Sequence, residues 1–256
     1  MDGEKEYGVK SAIRARNVLA AALLFLMPIG ASSQAPPPAP PPKHETSAEF
    51  AFVGTSGNSS TQSIGLGGDR IDRPGPWVFT TKTAYVRNKS ASELKAESFF
   101  LTFQSARTLT PHRAVFARYG FLHDQFAGIE NRNTVEGGLA YVLVNQAPHK
   151  LVVDGGLGYA NERRVRGPDL STAIAPAGAV YTLKISDTAE FSEDARFVFS
   201  LSQGEDWRVT NIAAVTAKLT TVLSLKLSNT IRHVNAPALG FEKTDTITAI
   251  ALVAKF

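Results

Sequence analysis

The sequence predicts an all-β protein, a twelve-stranded antiparallel up-and-down transmembrane β-barrel, and three observations carry that expectation. The chain closes on a strand-like segment, Thr244 to Phe256, whose last residue is aromatic. It opens on an apolar stretch with basic residues before it and small residues after it. Between the two, stretches of alternating polarity are separated by turn residues, with no 3.6-residue period after Thr46.

Taken from the N-terminus, Lys10, Arg14 and Arg16 form a positive region ahead of the apolar run Val18 to Ile29, and Gly30 to Ser33 supply small residues for cleavage. A membrane-spanning helix needs about 20 apolar residues, and this run is shorter and carries Pro28. Residues 1–34 are therefore expected to be a signal peptide with an upstream extension, cleaved near Ser33 to Ala35. Residues 35–46 read as a Pro-rich periplasmic linker, because Gln34 to Lys43 is dominated by prolines that lack a backbone donor. The barrel domain is expected over 47–256.

Strands are expected at 48–56, 61–69, 77–87, 95–108, 113–124, 133–144, 150–162, 172–184, 189–202, 207–219, 221–233 and 244–256. The even count suits a single-chain bacterial barrel and puts both termini on one side. Thr110-Pro111-His112, Asn145 to Pro148 and Thr220-Thr221 read as tight periplasmic turns, and 162–171 and 234–243 as longer outside loops. The connection 70–76 is long for a periplasmic turn, so strand 2 either extends into it or ends elsewhere.

Alternation supports lipid and lumen faces. In the fifth strand Val115, Ala117, Tyr119 and Phe121 oppose Phe116, Arg118, Gly120 and Leu122. In the ninth, Phe191, Ala195, Phe197 and Phe199 oppose Glu190, Ser192, Asp194 and Arg196, with Glu193 interrupting the apolar face. Placed alternately up and down, the strands gather Trp77, Phe79, Tyr141, Tyr181, Phe191 and Phe256 at one headgroup level and Tyr85, Phe99, Phe121, Tyr159 and Trp207 at the other. In the last strand Ile250, Leu252 and Phe256 share an apolar face and are the expected assembly signal.

Composition removes several functional classes. There is no cysteine, so no thiolate metal site, disulfide framework or lipid-modified cysteine exists. Loss of residues 1–34 takes four basic and three acidic side chains from totals of 27 and 23 and leaves a net charge of about +3 with neutral histidines. Basic residues are spread along the chain without interleaved aromatics, so nucleic acid is not an expected partner. The five histidines have no partners at metal or catalytic spacing, and His112 and His149 sit in turns beside prolines. A hydrolase group of His123, Asp124 and Ser105 is conceivable, but the His-x-Ser pairing of a membrane phospholipase strand is absent.

The expected lumen residues Glu49, Lys82, Arg118, Glu136, Asp154, Asp194, Arg196, Lys218 and Lys226, with Glu190, Arg208 and Arg232, carry both signs. They either line a narrow aqueous path or pair into a polar network that closes it, because an ionised group inside must be wet or paired. Arg163, Arg164 and Arg166 make a candidate contact for lipopolysaccharide phosphates, or a solvated loop.

The segment Ser47-Ala-Glu-Phe-Ala-Phe-Val-Gly-Thr-Ser-Gly-Asn-Ser-Ser-Thr61, an aromatic strand, a Thr-Ser-Gly-Asn turn and another strand, resembles the opening hairpin of domain-of-unknown-function family 481. Members of that family are described as salt-induced outer-membrane proteins. The resemblance implies an outer-membrane barrel and brings no catalytic residues or cofactors. The expected function is a non-enzymatic small channel or envelope-structural protein; a membrane-embedded lipid-modifying enzyme and a soluble periplasmic β-sandwich or lipocalin-like binder are the alternatives. Expected partners are outer-membrane lipid and lipopolysaccharide, the export translocon, periplasmic chaperones and the barrel-assembly machinery, with the protein itself a monomer.

Overall fold

The computed structural model describes residues 42–56, 61–90 and 93–256. Twelve strands follow one another: β1 (His44–Ser56), β2 (Thr61–Asp72), β3 (Trp77–Ser90), β4 (Glu93–Thr110), β5 (Arg113–Asp124), β6 (Ile129–Gln146), β7 (His149–Arg164), β8 (Leu170–Lys184), β9 (Ala189–Ser200), β10 (Trp207–Lys218), β11 (Leu223–Val234) and β12 (Thr244–Lys255). Each pairs antiparallel with its sequence neighbours, and β12 pairs with β1 to close the barrel. Closure leaves no sheet edge, the condition for β-structure in hydrocarbon. The expected signal peptide and most of the proline-rich linker lie outside the described residues.

The strands run longer than alternation alone marks. β2 continues to Asp72, which leaves only Arg73 to Pro76 as the turn to β3 and removes the awkward seven-residue connection. That extension gives β1 a partner below Ala48, so His44 to Thr46 belong to the first strand and not to the linker. Three bonds secure this end: Arg73 N donates to the Lys43 carbonyl at 2.8 Å, and Phe256 and Thr46 exchange backbone hydrogen bonds of 2.8 and 3.2 Å. Turns at the terminus-bearing end hold two to four residues, whereas the opposite end carries the long 235–243 connection between β11 and β12.

Apolar side chains face outward. Phe50 and Phe52 on β1, Ile64 and Leu66 on β2, Val135 and Leu139 on β6, Leu157 on β7, and Ile250 and Leu252 on β12 are all exposed on the outer wall. A water-soluble protein would bury such a band, and a barrel whose outer solvent is lipid does not need to. Aromatic rings gather near both strand ends. Trp77, Phe79 and Phe103 stack at 6.2 and 6.3 Å between centroids, and at the other end Trp207 lies 4.8 Å from His233 and 6.3 Å from Phe197.

Glycine shapes the inner wall between β6 and β7. Gly138 and Gly156 are cross-strand partners, and a Cβ on either would sit 2.2 Å from a facing backbone oxygen. The paired glycines let the two strands come together where any side chain would force them apart.

Candidate functional site

Strand alternation that turns Ile250, Leu252 and Phe50 outward turns Glu49, Ala51, Val253 and their counterparts into the lumen, and the charges there separate into distinct groups. The first lies mid-barrel on β5 to β9. Arg118 donates through Nε to Gln104 Oε1 at 2.8 Å, through Nη1 to Glu136 Oε2 at 3.2 Å and through Nη2 to Asp154 Oδ1 at 3.4 Å. Arg196 reaches the same two carboxylates, contacting Glu136 through Nη2 and lying 3.5 Å from Asp154 through Nη1. Asp154, Gly178 and Arg196 are register neighbours on β7, β8 and β9, and a Cβ at Gly178 would stand 2.5 Å from Asp154 Oδ2. The missing side chain is what lets the aspartate span β8. Two guanidiniums and two carboxylates thus neutralise one another inside the barrel, as buried charges require.

A second group lies toward the end opposite the termini. The Glu162 carboxylate, only 2% exposed, accepts from Arg132 Nη1 at 2.7 Å, Arg164 Nε at 2.8 Å and Arg208 Nη1 at 2.7 Å. Arg208 also pairs with Asp206 at 3.2 Å, and Arg164 donates to the Ala236 carbonyl, which ties the 235–243 connection to the cluster. Beside it, Asp124 binds Arg232 at 2.6 Å and accepts from the Phe126 and Ala127 amides, capping the one-turn 3-10 helix Gln125–Ala127.

A cavity of about 400 Å³ lies against β1 to β4 and β8 to β12, with Glu49, Asp69, Lys82, Asp194, Lys226 and Arg232 among its lining residues. Lys226 reaches across β12 to Glu49 at 2.8 Å, and Asp69 and Lys82 are cross-strand partners. Apolar lining comes from Val53, Val86, Phe100, Phe126, Ile212 and Ile247.

These positions divide the expected lumen set. Arg118, Glu136, Asp154 and Arg196 come together, Glu49 and Lys226 form a pair, and Lys82 faces Asp69. Asp194 stands apart, in the cavity wall. Lys218 sits at the terminus-bearing rim, where its ammonium donates to the Asp187 carbonyl at 3.3 Å. In that same turn a hydrogen bond from Lys184 holds the Asp187 carboxyl below its usual range. Asp69, Arg132, Glu162 and Asp206 join these groups although they are not among the expected lumen residues. Arg132 shares strand parity with Glu136 one residue ahead of the expected start of β6, and Glu162 shares parity with Asp154 at the last residue expected for β7, so carrying the inward parity through the strand ends finds both.

The arginines expected to meet lipopolysaccharide do not form one patch. Arg163 is exposed and 3.7 Å from Glu130, whereas Arg164 turns inward, its carboxylate partner being buried on the lumen side. Arg166 stays in the exposed 165–169 loop near Gly240. Nor is the hydrolase group assembled. Asp124 pairs with Ser98 on β4, seven residues from Ser105, a separation of about 23 Å along an extended strand. Among the described residues no cluster of three or more His, Asp or Glu is arranged to hold a metal ion.

The profile of the family described as "Protein of unknown function, DUF481" matches residues 48–256. No curated protein matches the sequence. Among solved structures, the NanC porin aligns with a TM-score of 0.57 at 9% identity, covering 82% of this chain and all of that one. The KdgM porin aligns at 0.49 and 7% identity over 82% of this chain and 99% of that one. The translocator domain of autotransporter NalP from Neisseria meningitidis aligns at 0.49 and 12% identity, with 85% and 90% coverage. The fold is that of an outer-membrane β-barrel.

Proposed function

The chain belongs to the DUF481 family of proteins of unknown function, and from that premise we propose that it is a non-enzymatic outer-membrane channel, a narrow monomeric pore for small polar solutes. One observation carries the reading. Ion pairs fill the lumen beside β5 to β9, but a cavity of about 400 Å³ stays open against β1 to β4 and β8 to β12, with charged side chains of both signs on its wall. A barrel serving only as a scaffold gains nothing from leaving charges facing an unfilled space, because ionised groups need water or partners. The aligned NanC structure is named as a porin, which supports the same reading.

In this account residues 1–34 direct export through the translocon and are removed, and periplasmic chaperones deliver the chain to the barrel-assembly machinery. That machinery reads the apolar face Ile250, Leu252 and Phe256 of β12, the strand that must find β1 last. Arg163 and Arg166 meet lipopolysaccharide phosphates at the outer rim, without Arg164, which is committed to Glu162.

Incorporation of the folded barrel into planar bilayers tests the proposal. Discrete conductance steps are expected at moderate voltage. A barrel that folds, shifts its gel mobility on heating and remains electrically silent is a closed scaffold, and the pore reading fails.

A further inference from the structure

We propose that the lumen cavity is a binding site for a small organic cation, an ammonium group on an apolar body, and that Asp194 is its anchor. The inference rests on the pore reading in one respect only, that the cavity is part of the solute's route.

Charge pairing in the cavity wall singles out Asp194. Lys226 is held by Glu49 at 2.8 Å, Lys82 is the cross-strand partner of Asp69, and Arg232 is held by Asp124 at 2.6 Å. Glu193 also borders the cavity, but it shares the outward strand parity of Phe197 on β9 and is register-paired with the outward Tyr181, so alternation directs its carboxylate away from the lumen. Asp194 follows the inward parity of Arg196, yet Arg196 turns to Glu136 and Asp154, and among the described residues no cation lies within ion-pair distance of Asp194. Among the described residues Asp69 makes no ion pair either, but it faces Lys82 across β2 and β3, whereas Asp194 has no cation opposite it; matching each cation to its facing carboxylate leaves one more negative than positive charge at the wall, which a monovalent cation balances.

The surroundings specify what kind of cation. On the neighbouring strands Asp194 is register-paired with Val180 and with Ile212, both lumen-facing and both lining the cavity. A carboxylate between two aliphatic side chains is poorly placed for a strongly hydrated metal cation, which would surrender water to apolar neighbours. An organic ammonium carries its own apolar surface to them. Phe100 and Phe126 also line the cavity, and the faces of aromatic rings attract ammonium groups, most of all when water is excluded. Val53 and Val86 continue the apolar wall on β1 and β3. Phe126 belongs to the 3-10 turn that Asp124 caps and Arg232 anchors, so its position at the cavity is fixed by the fold.

The test uses the full mature barrel folded in detergent, with benzyltrimethylammonium as probe and benzoate as the anion of similar shape. Isothermal titration is expected to show saturable binding of benzyltrimethylammonium, weakened at least tenfold in Asp194→Asn and retained in Asp194→Glu, with no binding of benzoate. Equal binding by wild type and Asp194→Asn overturns the proposal, and so does equal binding of benzoate by the wild type, a comparison that stands even if the variants fold poorly. The same samples in planar bilayers separate the two ideas. A barrel that conducts without binding the probe leaves the pore and removes the site; one that binds without conducting leaves the site and removes the pore.

Discussion

Replacing Glu162 with alanine removes the acceptor at the centre of three arginines. The carboxylate takes hydrogen bonds from Arg132 and Arg208 at 2.7 Å and Arg164 at 2.8 Å, and the three guanidinium side chains are themselves only 10 to 12% exposed. Breaking a buried ion pair by deleting one partner costs about 3 to 5 kcal/mol, because the remaining charge is left without compensation. Here Asp206 stays within 3.2 Å of Arg208 and offsets part of the loss, so the expected destabilisation is about 3 kcal/mol, the low end of that range. Urea unfolding of the barrel in lipid vesicles, followed by tryptophan fluorescence, measures it, since Trp207 is next to Arg208 on β10. Glu162→Gln should fall between wild type and alanine, keeping volume and an acceptor while losing the charge. A second readout follows from the Arg164 bond to the Ala236 carbonyl: the 235–243 connection should become open to trypsin at Lys243. If Glu162→Ala lies within about 1 kcal/mol of wild type and the loop keeps its resistance, the cluster is not a structural rivet and the reasoning fails.

Leu157, 66% exposed on the outer wall of β7, should resist charge: Leu157→Arg is expected to destabilise the barrel in bilayers by about 2 to 4 kcal/mol, and a neutral result in the same urea titration would mean that this face does not meet hydrocarbon. Gly178→Val should displace the Asp154 carboxylate and cost about 1 to 3 kcal/mol, with Asp154→Ala relieving part of that penalty in the double variant; strict additivity would show that the glycine does not serve the aspartate. Deleting Phe256 should lower the assembled fraction in cells severalfold while leaving the conductance of barrels that do assemble unchanged, checked by heat-modifiable gel mobility followed by bilayer recording.

Alternation made most of the barrel legible because each strand has two different solvents on its two sides. β5 runs from Arg113 to Asp124 as expected, since Pro111-His112 and the 3-10 turn punctuate it sharply. β6 does not stop where its alternation weakens: Ile129 to Arg132 continue the ladder against Glu162 to Arg164, and the residues that look like loop are the ones that carry the Glu162 cluster. Length was hidden there because charged residues at a strand end resemble solvated loop until their cross-barrel partners are known. The same holds for Arg164, which reads as part of a surface basic run with Arg163 and Arg166 but has inward parity on β7. Pairing across the lumen was invisible for another reason. Glu49 and Lys226 are 177 residues apart, and only closure of β12 onto β1 brings them to 2.8 Å.

The central claim is that adjacent residues on these strands face lipid and a wet lumen in turn, and the absence of cysteine makes it directly measurable. Single cysteines at Phe52, exposed on the outer wall, and at its neighbour Ala51, which lines the cavity, should be compared in barrels reconstituted into planar bilayers. A charged, water-soluble methanethiosulfonate should modify Ala51→Cys and reduce its conductance, while Phe52→Cys stays unreactive to the reagent and, carrying a fluorophore, is quenched by brominated lipid. Equal modification at both positions, or reaction at Phe52→Cys alone, would contradict the account.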